Sequence, residues 1–103
     1  MSDKYTVIVS DAALSMLDNH VAFLAKVSTN AALKMADEIL HDMESLSENP
    51  NRYPAYRNSF IYHKQYRKMI SAKRYLIIYE INEANVYVDY IIDCRQHYEW
   101  LIN

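Results

Sequence analysis

The side chains best suited to chemistry stand close together near the end of the chain, in the stretch DCRQHYEW at residues 93–100. A histidine such as His97 can move a proton near neutral pH, and an arginine such as Arg95 can stabilise charge that develops on a phosphate. A tyrosine such as Tyr98 can stack on a nucleic-acid base or donate a hydrogen bond to it. Together these three side chains could support cleavage of an RNA phosphodiester by its own 2′-hydroxyl, a reaction that needs no metal.

A simpler interpretation of the same stretch is the polar exit of a buried strand. In that case Arg95 forms an ion pair with Asp93 or Glu99, and His97 lies in solvent. Taken by itself, the stretch favours this simpler interpretation. Cys94, the only cysteine of the chain, is then a small buried apolar side chain. A single cysteine excludes an internal disulfide and a thiol-rich zinc site, and it fits a reducing cytoplasm.

A second candidate is the wholly basic central segment at residues 49–79, which contains seven cationic side chains and no acid. Residues 1–48 instead carry three basic and eight acidic side chains. The segment suits RNA phosphates or an acidic partner protein, and its interleaved tyrosines could stack on bases. A solvated charged face and ordinary sheet tyrosines also explain this composition. The cations of the segment are Arg52, Arg57, Lys64, Arg67, Lys68, Lys73 and Arg74.

Length and composition narrow the class of protein. A chain of 103 residues, 51% of them hydrophobic, predicts a single domain, 1–103, with a folded core. The chain contains no glycine, which excludes a glycine-rich phosphate cradle. No stretch approaches the roughly 20 apolar residues that span a bilayer, and the opening MSDKYTVIV lacks the layout of a signal peptide. We therefore expect a cytoplasmic protein without a membrane partner, and the scattered His20, His41 and His63 predict no metal or other cofactor.

The first half of the chain predicts a strand followed by two helices. Tyr5–Val9 is a β-branched run typical of a strand, and Ser10 with Asp11 then offers an N-cap. Apolar residues recur at helical spacing in two stripes, separated by the break Ser28-Thr29-Asn30. We expect both stripes to face the core and the helices to form a hairpin that Asn49-Pro50 ends. The stripes are Leu14, Leu17, Val21 and Leu24, then Leu33, Ala36, Leu40 and Met43.

The second half predicts a loop at residues 50–60, three strands and a short closing helix at Gln96–Ile102. The predicted strands are Gln65–Ile70, Arg74–Ile81 and Val86–Asp93. The turns between them, at Ser71-Ala72 and Asn82–Asn85, are short, which favours antiparallel pairing. The predicted class is therefore α+β, with the order β-α-α-β-β-β(-α) and one antiparallel sheet that carries the N-terminal helical hairpin on one face.

This order of elements, together with three stretches of the sequence, resembles the RelE/ParE superfamily of toxins from bacterial type II toxin–antitoxin systems. The stretches are YRKM (66–69), KRYLIIYEI (73–81) and VDYIIDCRQHYEWL (88–101). The ending CRQHY is also similar to the Cys-Arg-x-His-Tyr C-terminus of the YoeB branch. The resemblance covers nearly the whole chain and implies a RelE/ParE-like fold and a small toxin that a cognate antitoxin neutralises.

The branches of this superfamily imply two different activities. The RelE and YoeB branches are mRNA interferases, endoribonucleases that cut mRNA in the ribosomal A site without a metal. The ParE branch inhibits DNA gyrase and is not known as a nuclease. The implied partners are therefore the ribosome and mRNA in the first case and DNA gyrase in the second, with a cognate antitoxin in both and a homodimer as a further option.

The resemblance assigns roles to individual residues under the nuclease hypothesis. Arg67 falls where RelE-like toxins have a strand lysine, and Arg95 falls on their arginine after the last strand. His97 and Tyr98 match the histidine and tyrosine of YoeB-like toxins. The catalytic candidates are thus Arg67, Arg95, His97 and Tyr98, and the candidates for RNA binding are Lys64, Lys68, Lys73 and Arg74.

Two positions depart from the pattern of the nuclease branch. Leu76 replaces the arginine of the usual Tyr-Arg-x-x-Tyr motif, and Met69 stands where RelE has a second lysine. A group that stabilises phosphate charge typically contributes orders of magnitude in rate, and a net charge of −2 fits poorly with a ribosome-binding protein. The Arg-x-His-Tyr ending still puts the mRNA interferase slightly ahead. The alternatives are a ParE-like toxin that inhibits DNA gyrase or another protein target without catalysis, and a degenerate toxin that keeps only antitoxin binding.

Overall fold

The fold is that of a computed structural model of the chain, in which residues 4–56 and 65–95 are described. A strand, two helices, a single 3-10 turn and three further strands follow one another in these residues. The elements are β1 (Thr6–Val9), α1 (Asp11–Ala25), α2 (Thr29–Ser45), the 3-10 turn (Pro50–Arg52), β2 (Tyr66–Ser71), β3 (Tyr75–Asn82) and β4 (Asn85–Asp93). The predicted closing helix Gln96–Ile102 lies outside the described residues.

The strands form a four-stranded sheet in the order β1-β4-β3-β2. Short turns make β2, β3 and β4 an antiparallel meander, as the sequence predicted. β1 joins β4 in parallel, however, so the sheet is mixed and not wholly antiparallel. The reason is the helical hairpin, whose two helices return the chain so that β1 and β2 run in the same direction at opposite edges. The α+β class and the order β-α-α-β-β-β are confirmed.

Both helices begin where the sequence places a serine N-cap. Ser10 Oγ accepts a hydrogen bond from the backbone N–H of Ala13 at 3.0 Å, and Ser28 Oγ accepts one from Ala31 at 3.1 Å. Each bond satisfies one of the N–H groups that the first turn of a helix leaves without a partner. Within residues 4–56 and 65–95, no helix is both long enough and apolar enough to cross a membrane.

The inward face of α2 differs from the predicted one by about one residue. Leu33 and Leu40, both expected in the core, are 59% and 46% exposed. The buried residues of α2 are Ala32, Met35, Ile39 and Met43. This stripe continues through Leu46, which is fully buried beyond the end of the helix. Four residues of α2 and Leu46 after it therefore form a buried stripe of five apolar positions, where the predicted stripe had four, and the larger buried area is more favourable.

The sheet face beneath the helices forms the other half of the core. Its buried side chains are Met69, Tyr75, Ile77, Tyr79, Val86, Val88 and Ile91. α1 lies against β4 and buries Leu17, whereas the predicted core residue Leu14 is 42% exposed. α2 is joined to β2 by a hydrogen bond from Ser71 Oγ to Asp42 Oδ2 at 2.6 Å. The helical hairpin thus contacts both β4 and the edge strand β2, the last and the first strand of the meander.

The turn between β2 and β3 reverses the chain without a glycine. Ala72 and Lys73 adopt left-handed φ values of 48° and 71°, which cost roughly 1 kcal/mol each in residues that carry a Cβ atom. Ser71 still pairs with Tyr75, so the turn occupies residues 72–74, slightly later than predicted. This strained turn presents Lys73 and Arg74 at its tip.

Candidate functional site

Arg95, the arginine expected to meet a phosphate, is bonded to a carboxylate of its own chain. β4 ends at Asp93, whose side chain is only 3% exposed. Arg95 Nε and Nη2 donate to the two carboxylate oxygens at 3.1 and 2.8 Å, and the backbone N–H of Arg95 donates to the same carboxylate at 2.9 Å. Arginine binds phosphate with this same two-pronged geometry. Asp93 therefore occupies the position that a phosphate would need, and the ion pair considered from the sequence is present.

The charges of this pair compensate each other. Burial pushes the pKa of the Asp93 carboxyl upward, but the hydrogen bonds and charge of Arg95 outweigh burial and hold the pKa below its ordinary value of 3.8. The hydrogen bonds to Asp93 also raise the pKa of Arg95. Both groups stay ionised at neutral pH, so the pair as a whole adds little attraction for an anion.

A tyrosine and a histidine from other elements support the pair. Tyr75 is buried at the start of β3, and burial followed by the charge of Asp93 raises the pKa of its hydroxyl. The ring of His20 on α1 lies 5.2 Å from the Tyr75 ring, and His20 Nε2 donates to the backbone oxygen of Ile91 at 2.8 Å. Sequence reasoning missed His20, because its partner Ile91 is 71 residues away and no local pattern links them.

Arg67, the other arginine expected to act on a phosphate, holds a loop. Its Nη1 donates to the backbone oxygens of Asn51 and Tyr53 at 3.1 and 2.5 Å. These bonds join the 3-10 turn and the residue that follows it to β2, and they satisfy two backbone carbonyl groups. The guanidinium of Arg67 therefore already has a structural role.

The two arginines do not converge on a common point. Arg67 lies opposite Tyr79 of β3, whereas Asp93, the partner of Arg95, lies opposite Tyr75. These two positions on β3 are four residues apart, which corresponds to about 13 Å along a strand. Contact of both arginines with one phosphate would require each side chain to extend toward the other and to leave the partner that it has in this structure.

Three of the predicted basic residues lie at the strained turn and beside it. The backbone N–H of Cys94 donates to the backbone oxygen of Arg74 at 2.7 Å, which places the turn next to the end of β4. Lys73, Arg74 and Arg95 are exposed at this corner. Lys68 lies on β2 and faces away from the helices, because it is paired with Ile78 on that face. The candidates Lys64, His97 and Tyr98 lie outside the described residues.

Cys94 is exposed, contrary to the prediction of a buried side chain, because β4 already ends at Asp93. Partial desolvation and the charge of Asp93 raise the pKa of its thiol, so the thiol stays protonated at neutral pH and is a poor nucleophile. Among the residues in the two described ranges, no three His, Cys, Asp or Glu side chains are grouped as a metal ion would require.

Leu76 stands where the nuclease branch has an arginine, and its cross-strand neighbours are apolar as well. It pairs with Ile70 on β2 and with Ile92 on β4, so these three residues, here called the apolar row, cross the sheet face that points away from the helices. Ile70 is 65% exposed, and Leu76 and Ile92 are half-buried. Met69, where the nuclease branch has a lysine, is buried in the core on the opposite face. The apolar row offers contact area to a protein and no charge to a phosphate.

Comparison with known proteins places this architecture in a family. The sequence model of a protein family, the ParE toxin of the type II toxin–antitoxin system parDE, matches residues 7–98. The chain belongs to the ParE toxin family. The match runs from β1 to beyond β4, so it includes the Asp93–Arg95 pair and the apolar row. The resemblance to the RelE/ParE superfamily is therefore confirmed, and a type II toxin–antitoxin system implies a cognate antitoxin as the partner of this ParE-family chain.

A solved structure described as the chromosomal ParDE toxin–antitoxin system from P. aeruginosa is similar to this chain. The two superpose with a TM-score of 0.70 at 16% sequence identity, over 89% of this chain and 98% of the other. At this identity the likeness establishes the shared fold. A search of curated protein sequences finds no match.

Proposed function

We propose that this ParE-family toxin arrests growth by binding a protein target, DNA gyrase, and that it does not cut RNA. The proposal reverses the order in which the sequence alone placed these two hypotheses. Membership of the ParE family supports it, because the RelE/ParE resemblance associates gyrase inhibition with the ParE branch. The proposal includes a cytoplasmic site of action.

The observation that carries the proposal is the apolar row of Ile70, Leu76 and Ile92. A nuclease needs cationic side chains where negative charge develops on the phosphate. Here the central position is a leucine, and the positions on either side of it across the sheet are isoleucines. Interfaces between proteins, in contrast, contain an apolar centre with charged groups at the rim. Lys73 and Arg74 lie beside the row, in the turn that joins the strand of Ile70 to the strand of Leu76, and can form such a rim.

The bonding of the two arginines also supports the proposal. Arg95 is neutralised by Asp93, and Arg67 is bonded to the carbonyl oxygens of Asn51 and Tyr53. Arg95 would have to release Asp93 before the same two nitrogens could bind a phosphate, and Nη1 of Arg67 is already shared between two carbonyl groups. Both act instead as structural groups that fix the end of β4 and the start of β2.

The cognate antitoxin is proposed to lay an acidic segment against the exposed turn residues Lys73 and Arg74, beside the neutralised Arg95. Opposite charges favour this contact, and the position beside the apolar row would let the antitoxin cover the target-binding face. A homodimer stays a prediction.

The second candidate is the metal-independent mRNA interferase, with ribosome and mRNA as partners. The specific observation in its favour is the order of Arg95, His97 and Tyr98 along the chain, which pairs a proton-transfer group with a phosphate-binding group. This candidate requires Arg95 to exchange Asp93 for a phosphate and requires Leu76 to be tolerated.

The proposal is tested by the ability of the purified toxin to inhibit supercoiling of relaxed plasmid by DNA gyrase. The unaltered chain is expected to inhibit, and Ile70→Lys is expected to raise the inhibitory concentration by roughly tenfold or more, since a buried unpaired charge at an interface is costly. Leu33→Lys is the matched control, because Leu33 is an exposed leucine (59%, against 65% for Ile70) on the opposite side of the molecule. Equal effects of the two substitutions, or no inhibition by the folded toxin, would contradict the proposal.

A further inference from the structure

β1 forms one edge of the sheet, and its outer side carries backbone groups directed away from the sheet. The N–H groups of Thr6 and Ser10 donate to Ala84 and Val88 on the β4 side at 2.9 Å each. In a parallel pair, alternate residues of a strand direct both of their backbone groups to the same neighbour. The intervening residues Val7 and Val9 therefore direct their N–H and C=O groups outward. This is the arrangement that an added strand requires.

An open groove of about 480 Å³ lies beside this outer edge at Val7. Its walls are Val7 of β1 and residues from the end of α2 and the loop that follows. The lining residues from α2 and that loop are His41, Glu44, Ser45, Ser47 and Glu48. Tyr5 already uses the edge, because its N–H donates to the backbone oxygen of Ser47 at 2.8 Å. Ser47, the acceptor in that contact, is also a lining residue of the groove.

The groove has a negative charge from two sources. Glu44 and Glu48 are exposed carboxylates on its wall, and the last turn of α2 contains no basic residue to offset the partial negative charge of the helix C-terminus. The groove already attracts one cation, since Lys4 Nζ lies 3.8 Å from Glu48 Oε1. Both of these side chains are largely exposed, so this ion pair is weak and another cation can replace it.

We propose that the outer edge of β1 and this groove dock an extended basic segment of a partner protein, which adds to the sheet as a fifth strand. The backbone of the segment pairs with Val7 and Val9, and this pairing supplies binding that does not depend on side-chain type. Side chains of an added strand alternate between the two faces. Those on the helix side meet Glu44 and Glu48 and are therefore lysine or arginine. Those on the other side lie beside Ile8, which is 40% exposed, and are therefore apolar.

The surface involved differs from the one proposed for the toxin target. The strand order places β1 and β2 at opposite edges of the sheet, so the groove and the edge strand that carries Ile70 are separated by β3 and β4. The sign of the charge differs as well, since the corner at Lys73 and Arg74 suits an acidic segment. A single toxin molecule can therefore engage two partners, or two segments of one partner, at the same time.

The first test uses an eight-residue peptide in which lysine and valine alternate, titrated into the full chain and followed by calorimetry. Binding is expected, and the same peptide with glutamate in place of lysine is expected to bind roughly tenfold or more weakly, since two charge pairs are lost and like charges replace them. A lysine–valine peptide with every central amide N-methylated keeps its charge but loses its donors, and it is expected not to bind. Equal binding of the basic and acidic peptides, or full binding of the methylated one, would overturn the proposal.

The second test locates the peptide on the protein. Bound peptide is expected to slow hydrogen exchange at the amides of Val7 and Val9, which donate to no group of the sheet in the free chain. Glu44→Gln with Glu48→Gln is expected to weaken binding roughly tenfold by the same loss of charge pairs. Asp37→Asn with Glu38→Gln is the matched control.

The control removes the same two charges from exposed positions on α2 that do not line the groove, and it is expected to leave peptide binding unchanged. Equal weakening by both pairs of substitutions would overturn the proposal, because net charge alone would then explain binding. Protection of the Val7 amide that grows with protein concentration without peptide would also overturn it, because a second copy of the chain would then be the occupant.

Discussion

Replacement of Arg95 by alanine tests whether this arginine acts as a structural group. The substitution removes two charge-assisted hydrogen bonds, at 3.1 and 2.8 Å, from a carboxylate that is 3% exposed. Such bonds contribute about 1.5–3 kcal/mol each, but the Arg95 side chain is 49% exposed and solvent screens part of this contribution. We expect a loss of about 2 kcal/mol in the free energy of unfolding. For a domain of this size the melting temperature should fall by roughly 10 °C.

The effect should depend on pH in a defined direction. The pKa of Asp93 in the folded chain lies below its ordinary value of 3.8, so the stabilisation from the pair is present above that value and is lost as the pH falls through the lower folded value. Without Arg95, burial becomes the main influence and raises the pKa of Asp93. The variant should therefore be least stable relative to the parent at neutral pH. The difference between the two should shrink below about pH 4.

The assay is urea unfolding followed by circular dichroism at neutral and acid pH. Arg74→Ala serves as the control, because Arg74 is an exposed cation in the adjacent turn and should change the free energy of unfolding by less than about 0.5 kcal/mol. If Arg95→Ala costs no more than Arg74→Ala, or if its cost is the same at pH 7 and pH 3.5, the structural role assigned to Arg95 is refuted.

Three further changes test other parts of the structure. Arg67→Ala should cost about 1 kcal/mol through the lost bonds to two loop carbonyls, measured by urea unfolding. Ile39→Ala should cost about 3 kcal/mol because it opens a cavity in the core, while the exposed Leu33→Ala should cost less than about 0.5 kcal/mol. Burial raises the pKa of Tyr79 from its ordinary 10.0 to about 12, so Tyr79 should contribute stability below pH 10 that is lost as the pH rises toward 12, and Tyr79→Phe should lack this alkaline loss.

Each of these predictions has an outcome that would count against it. Equal costs of Ile39→Ala and Leu33→Ala would mean that the inward face of α2 is wrong. No change in Arg67→Ala would mean that the arginine does not hold the loop. A Tyr79→Phe variant with the same alkaline unfolding profile as the parent would mean that the hydroxyl, which donates to the backbone oxygen of Pro50 at 2.7 Å, does not control it.

Local sequence signals predicted the elements of the fold well. The serine caps at Ser10 and Ser28 act within a few residues along the chain, so the local sequence contains the relevant physical information. α2 ends at Ser45, however, before the predicted stop at Asn49-Pro50. Strand bounds differed by about one residue. The parallel pairing of β1 with β4 was missed, because it joins residues that are about 80 positions apart and depends on how the helical hairpin returns the chain.

The inward face of α2 shows where periodicity alone is ambiguous. Leu33 and Leu40 lie one position from Ala32 and Ile39, and both sets recur at helical spacing. Two features outside the stripe decide which set faces the core. The buried set continues to Leu46 beyond the helix, and it allows Asp42 of α2 to accept a hydrogen bond from Ser71 of β2. Tertiary packing selected the register that propensity left open.

The candidate site was predictable only in part. The Asp93–Arg95 pair was visible as an alternative, since the two residues are neighbours in sequence. The support from His20 and Tyr75 and the use of Arg67 by loop carbonyls were not, because they depend on contacts between distant segments. The sequence therefore identified the arginines that could act on a phosphate, but their hydrogen-bond partners in the folded chain give them structural roles.

The most direct test of the central claim is cleavage of mRNA on translating ribosomes by the purified, folded, antitoxin-free toxin. An Arg95→Ala, His97→Ala double variant is measured in parallel, with its folding checked by circular dichroism. We predict that neither protein cuts mRNA in the ribosomal A site, because the apolar row offers no charge to the phosphate and Arg95 is paired with Asp93. Cuts in the A site that disappear in the folded double variant would contradict the account and establish the chain as an mRNA interferase.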